Sequence, residues 1–366
     1  MAQSTPPSRL SWTVLVPVIA VVVLAVLWGR ELSGLIVALV TALLGGAVLA
    51  AVYHAEVVAH RVGEPYGSLV LAVAVTVIEV ALIVTLMLAG SGQTQSLARD
   101  TVFAAVMITC NGIVGLSILV GTLRRDFVVF NAEGSGGAFA TVATLTTLAL
   151  ILPTFTTTTP GPDFSPGQLA FAAIAALGLY ALFVTVQTGR HRDFFVPVAT
   201  AGTAVDDDER GHRPSSGGAL FSLCLLLLAL VAVVGNAKLV SPTIERAVGA
   251  AGLPQSVVGV IIALLVLLPE TLAAGQAAKR DRIQTSLNLA FGSAIASIGL
   301  TIPVIAVAST WLPVSLHLGL GGTQIVLFGL TCVVTVLTIV PGRATLLQAG
   351  VHLVLLAAYL TLAVSP

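Results

Sequence analysis

Charge is what this chain has least of. Only 9% of its 366 residues are Asp, Glu, Lys or Arg, against about a quarter in an ordinary soluble domain. With 57% of residues hydrophobic, such a chain cannot cover a water-facing surface, and it reads as an all-α polytopic membrane protein. Sixteen basic residues balance sixteen acidic ones, and no basic tract is long enough to follow a phosphate backbone. Nucleic acid is thereby excluded as a partner. Cysteine is scarce too: Cys110, Cys224 and Cys332 lie far apart inside apolar runs, spaced neither as a disulfide framework nor as a zinc knuckle, and they read as packing residues.

What is there is a series of apolar runs, each near the ~20 residues a helix needs to cross a hydrocarbon core. Eleven are counted, near 12–28, 33–52, 67–89, 101–123, 138–157, 168–187, 219–237, 257–278, 283–308, 324–340 and 344–364. The first lacks a strong charged leader and an A-x-A site, so it is expected to be a retained helix, not a signal peptide. With the N-terminus in the cytoplasm, twelve of the sixteen Lys and Arg fall in inner loops, leaving Arg30, Arg99, Lys238 and Arg246 outside. That bias sets the expected orientation in a bacterial inner membrane, with the C-terminus outside.

The longest polar connection, about Thr188 to Gly218, contains "AVDDDERGHRPSSGG". It divides the chain into an extra N-terminal helix (1–32), a first five-helix repeat (33–187), a cytoplasmic acidic linker (188–218) and a second five-helix repeat (219–366). An odd number of spans per repeat forces the two repeats into opposite topology, an arrangement typical of secondary transporters.

Two carboxylates interrupt this pattern: Glu79 in "VTVIEVALIV" and Glu270 in "LVLLPETLAA", each in the second span of its repeat. An ionisable side chain at a helix centre costs roughly 3 kcal/mol on insertion scales, and each Leu, Ile or Val returns only about 0.3 to 0.6. Nothing about folding requires them. A lone intramembrane Glu can be a protonated packing residue; two at matching positions of inverted repeats point to a shared site near the midplane.

The next span of each repeat is interrupted by polar and small residues. In "MITCNGIVGLSILVG" these are Asn111, Gly112 and Ser117; in "TSLNLAFGSAIASIGLTIP" they are Asn288, Gly292, Ser293 and Ser297. Setting Gly112 opposite Gly292 puts Ser117 opposite Ser297. Taken singly, such residues serve close helix packing. Beside two carboxylates, Gly112, Gly292 and Pro269 can also unwind a helix and free backbone carbonyls toward a cavity. An all-oxygen site suits hard cations such as Ca²⁺ or Na⁺. Emptied of metal, two close carboxylates repel and take up protons, so cation and proton compete for the same groups.

Other candidates carry less. His54, Glu56 and His60 do not follow the H-E-x-x-H spacing of a metalloenzyme. Glu56 and Glu64 attract cations at an inner mouth or simply solvate a helix end with a turn at Gly63 and Pro65. Asp206, Asp207, Asp208 and Glu209 form either a solvated linker or a cytoplasmic Ca²⁺ sensor. His352 in the last span is expected to be a packing residue, not a proton relay.

"HAEVVAHRVGEPYGSLVLAVAVTVIEVALIV" together with "LLPETLAAGQAAKRDRIQTSLNLAFGSAIASIGLTIP" resembles the ChaA branch of the calcium/cation antiporter superfamily, whose relatives include the CAX-type Ca²⁺/H⁺ exchangers. The resemblance implies two signature repeats whose central Glu residues, here Glu79 and Glu270, bind the cation, with helix-lining polar positions on Asn111, Ser117, Ser293 and Ser297. Many CAX relatives carry Gly-Asn shortly before the first Glu, where this chain has "VTVIE"; that departure weakens any transfer of CAX selectivity. ChaA-like proteins are linked to Na⁺ and K⁺ as well as Ca²⁺.

The expectation is a cation/proton antiporter with no cofactor, whose partners are inorganic cations, protons and the bilayer; a homo-oligomer is compatible with it. The competing readings are a Na⁺/Ca²⁺ exchanger without proton coupling, a channel, and an intramembrane enzyme. The last is disfavoured because the acid pairs of such enzymes are expected to be Asp, and the eleven runs contain none.

Overall fold

The computed structural model describes residues 11–30, 32–62, 74, 76–85, 94–123, 125–196, 215–254, 256–311 and 316–365. Among them twelve helices are distinguished. The first six are α1 (Trp12–Leu27), α2 (Gly34–Val62), α3 (Thr76–Thr85), α4 (Leu97–Thr122), α5 (Ala132–Thr154) and α6 (Pro166–Arg190). The others are α7 (Ser216–Ala250), α8 (Ser256–Val266), α9 (Leu268–Lys279), α10 (Ile283–Ala308), α11 (Gly322–Ile339) and α12 (Leu346–Val364). Each expected apolar run has a helix, and the all-α class holds. Among the described residues, eight helices are long and apolar enough to cross a membrane, nine when the bent pair α8 and α9 is one span; the described parts of α1 and α3 are shorter.

The chain forms two compact units: Met1–Ser91 with Ala199–Ala250, and Gly92–Val198 with Ala251–Pro366. In the first unit α2 and α7 run antiparallel, since Arg61 at the end of α2 donates to the Ser216 hydroxyl at the start of α7 (2.7 Å). α1 packs on both. Its interior Pro17 has no N–H, which leaves the Thr13 carbonyl without a helical donor. His54 of α2, fully buried, supplies one: its Nε2 lies 3.0 Å from Thr13 O, and a carbonyl can only accept. Further along the same buried face of α1, Leu24 occupies the space where any side chain at Gly235 of α7 would stand, and Asn236 donates to Ala20 O (3.0 Å). His54 is thus the cap for a bond that Pro17 removes. His54→Leu should cost about 1 to 3 kcal/mol by orphaning a buried carbonyl. Pro17→Ala, which returns the helical N–H, should cancel most of that loss in the double variant. Thermal melting of the purified protein reads both, and additive losses would contradict the pairing.

The second unit contains α4 to α6 and α8 to α12. α4 begins at Leu97, before the expected run at 101, and so takes in Asp100, 4% exposed. The expectation of no Asp in these spans is corrected on this point. Its first-turn position suits an acid at a helix N-terminus, and Arg99 Nε (2.8 Å) and the Ser96 hydroxyl (2.9 Å) hold it. A Cβ at Gly259 of α8 would lie 3.0 Å from Asp100 backbone, so glycine there permits the close approach of α8 to α4. A short antiparallel ribbon, β1 (Phe127–Val129) with β2 (Arg343–Thr345), joins the α4–α5 and α11–α12 connections.

Candidate functional site

Glu79 sits in the middle of α3, in the first unit, and is 4% exposed. Glu270 belongs to the second unit and lies in the first turn of α9, half-buried. α8 and α9 meet at 50°. Backbone hydrogen bonding passes the bend at Leu267, whose N–H donates to Ala263 O (2.9 Å) and whose carbonyl accepts from Thr271 N–H (2.9 Å). Pro269, buried at the start of α9, has no N–H, so the Leu265 carbonyl has no helical donor. A half-helix N-terminus offers partial positive charge to an anion, while the freed carbonyl offers an oxygen to a cation. Glu270 follows Pro269 directly, so the break puts it in the first turn of the second half-helix.

α9 packs against α4 and α10. The Ser117 and Ser286 hydroxyls of α4 and α10 are 2.5 Å apart, and Ser286 donates to Ala274 O of α9 (2.8 Å). Asn111 lies in a π-turn of α4, Ile108–Ile113, where its Nδ2 donates to the Thr331 hydroxyl of α11 (3.0 Å) and its Oδ1 faces His352 of α12 (3.2 Å). Gly112 packs on Leu356. Asn288 accepts from Gln284 (2.9 Å) and donates to Phe195 O (2.6 Å) at one end of α10. Ser297 is buried, Gly292 and Ser293 are half-buried, and the space beside Gly292 is open.

The fold therefore gathers Glu270, Pro269 and the polar positions of α4 and α10 onto three mutually packed helices of one unit. Asn111 and Asn288 have their amides engaged within the protein. Glu56 is exposed on α2. Glu64, Asp206, Asp207, Asp208 and Glu209 lie outside the described residues. Two features escaped sequence reasoning. The π-turn has no reliable sequence signal, whereas Thr331, Thr335 and Thr338 recur at helical spacing in α11 and marked a buried polar face.

Residues 32–189 and 221–365 match the family described as "Sodium/calcium exchanger protein", in two blocks on either side of the polar connection. The chain is 42% identical over 358 residues to "Putative ionic transporter y4hA" of Sinorhizobium fredii, covering 97% of this chain and 96% of that protein. It is 34% identical over 364 residues to "Sodium-potassium/proton antiporter ChaA" of Escherichia coli, covering 98% of each. Among solved structures, "H+/Ca2+ Exchanger CAX" superposes with a TM-score of 0.70 at 17% identity, covering 95% of this chain and 86% of that one.

Proposed function

The chain belongs to the sodium/calcium exchanger family, and from that premise we propose that it is a cation/proton antiporter working by alternating access. As a member of that family it is a multi-pass membrane transporter, not an enzyme. In the proposal it exports Ca²⁺, Na⁺ or both, with K⁺ a further cargo, from the cytoplasm of a bacterium against entering protons. Glu79 and Glu270 hold the cation or the protons, never both together. Each proton charge entering across 100 mV gains about 2.3 kcal/mol, which drives the cation out.

The observation that carries the reading is the broken span. A carboxylate in the first turn of a half-helix, in the same span as a carbonyl freed by Pro269, supplies oxygens suited to a hard cation. Glu79, in the second span of the other repeat, is the matching ligand. The antiparallel pairing of α2 with α7, the first helices of the two repeats, supports opposite topology of the halves. Proton coupling is supported by the names of two relatives, a sodium-potassium/proton antiporter and an H⁺/Ca²⁺ exchanger.

The family description favours a second reading, Na⁺/Ca²⁺ exchange without protons. Proteoliposomes separate the two. Ca²⁺, Na⁺ and K⁺ are offered singly to vesicles acidic inside, with the membrane voltage clamped. Proton-coupled exchange predicts cation uptake driven by the pH jump alone. Uptake of Ca²⁺ only against preloaded Na⁺, with no response to the pH jump, would establish the second reading in its place.

A further inference from the structure

Four side chains in the second unit form one buried circuit. Asn111 of α4, Thr331 of α11 and His352 of α12 are 0% exposed, and Thr338 of α11 is 2% exposed. Asn111 Nδ2 donates to Thr331 Oγ (3.0 Å). That contact turns Oδ1 toward His352 Nδ1 (3.2 Å), and because an amide oxygen only accepts, Nδ1 carries the proton. The other ring nitrogen, Nε2, then accepts from the Thr338 hydroxyl (3.1 Å), whose one proton is shared with Val334 O (2.9 Å). Thr331 and Thr338 are two turns apart on α11, about 10 Å along its axis, and the Asn side chain and the imidazole together span that distance.

The circuit meets the backbone at two places, the Val334 carbonyl, 2.9 Å from the Thr338 hydroxyl, and the π-turn that carries Asn111. A π-turn adds one residue to the helix and rotates everything beyond it by about 100°, so the way it is held decides which residues of α4 face α9. The π-turn touches α9, and the last turns of α4 pack along it. Charge has no part in the arrangement: α4, α8, α11 and α12 carry one acid between them, Asp100, and Arg99 holds it at the start of α4. The remaining titratable groups on these helices are the thiols of Cys110 and Cys332 and the phenol of Tyr359.

We propose that His352 is a positioning residue for the Glu270 half of the cation site, acting through Asn111 and the π-turn of α4. It touches no cargo. Its two ring nitrogens tie α12 to α11 and fix the Asn111 amide, which in turn fixes the π-turn against the helix bearing Glu270. Asn111 then serves as the middle of this clamp, with its carbonyl oxygen committed to His352, and not as a cation ligand. The inference rests on the reading of Glu270 as a ligand.

The test uses the full chain in nanodiscs, with Ca²⁺ and Na⁺ each titrated calorimetrically, and transport measured in parallel. His352→Leu keeps bulk and removes both hydrogen bonds; whichever cation the wild type binds should bind at least tenfold more weakly. Maximal transport at saturating cation should fall much less. His352→Gln, whose amide N–H can meet Asn111 Oδ1, should recover most of the affinity. Wild-type affinity in His352→Leu, or equal losses in the Leu and Gln variants, would make His352 a packing residue and overturn the clamp. If His352→Leu does not fold, Thr338→Val carries the same test with an expected loss of about threefold; unchanged affinity there also overturns it. A wild type that binds neither cation removes the functional reading itself, which is a different failure.

Discussion

Glu79→Gln and Glu270→Gln should each abolish exchange, with a drop on the order of 100-fold or more, while the protein still folds and inserts. Glutamine keeps the shape and the hydrogen-bonding reach of glutamate but can neither hold a charge opposite a cation nor release a proton. Removing one partner of a buried charged contact costs about 3 to 5 kcal/mol, and each 1.4 kcal/mol is tenfold in binding. The loss applies to both cargoes, because the same oxygen serves the cation in one half of the cycle and the proton in the other. Folding should be spared, since an intramembrane carboxylate is itself a cost of roughly 3 kcal/mol on insertion scales. Melting temperatures at or above the wild type are therefore expected alongside lost flux. Glu79→Asp and Glu270→Asp retain charge with a shorter reach and should keep partial activity. Substantial proton-driven flux in either Gln variant would remove that carboxylate from the proposed site.

Much of this arrangement was legible in the sequence because membranes impose a strict pattern. Runs of about 20 apolar residues located the helices of the described residues, and Glu79 and Glu270 stood out because nothing in an apolar helix calls for them. Pro269 announced the break, since its missing N–H works the same way in any fold. Other features depend on partners distant in sequence. His54 looked like part of a failed metal motif, yet its role is set by Pro17, through the Thr13 carbonyl 41 residues away. His352 read as packing because a lone His in an apolar run gives no hint of Asn111, 241 residues away. Asp100 fell outside its expected span because the hydropathy pattern ends at a charge, whereas the helix continues through it when Arg99 and Ser96 satisfy the carboxylate.

Pro269→Ala should separate stability from transport more cleanly than any change at the carboxylates. Alanine returns an N–H at the one position where the helix lacks it, so the Leu265 carbonyl gains a helical donor and the bend between α8 and α9 loses its cause. One added hydrogen bond inside a membrane protein is worth about 0.6 kcal/mol on average, so the melting temperature should stay level or rise by a few degrees. Transport should move the other way. Closing the break withdraws a carbonyl oxygen from the cation and turns Glu270 from the end of a half-helix into the interior of a continuous one, where the N-terminal partial charge is no longer available. A tenfold or larger loss of flux at subsaturating cation is expected. Pro269→Gly restores the N–H but not the helix propensity, and should fall between the two. A Pro269→Ala variant that transports like the wild type would show that the bend is mere packing, and the oxygen set at Glu270 would have to be drawn from side chains alone.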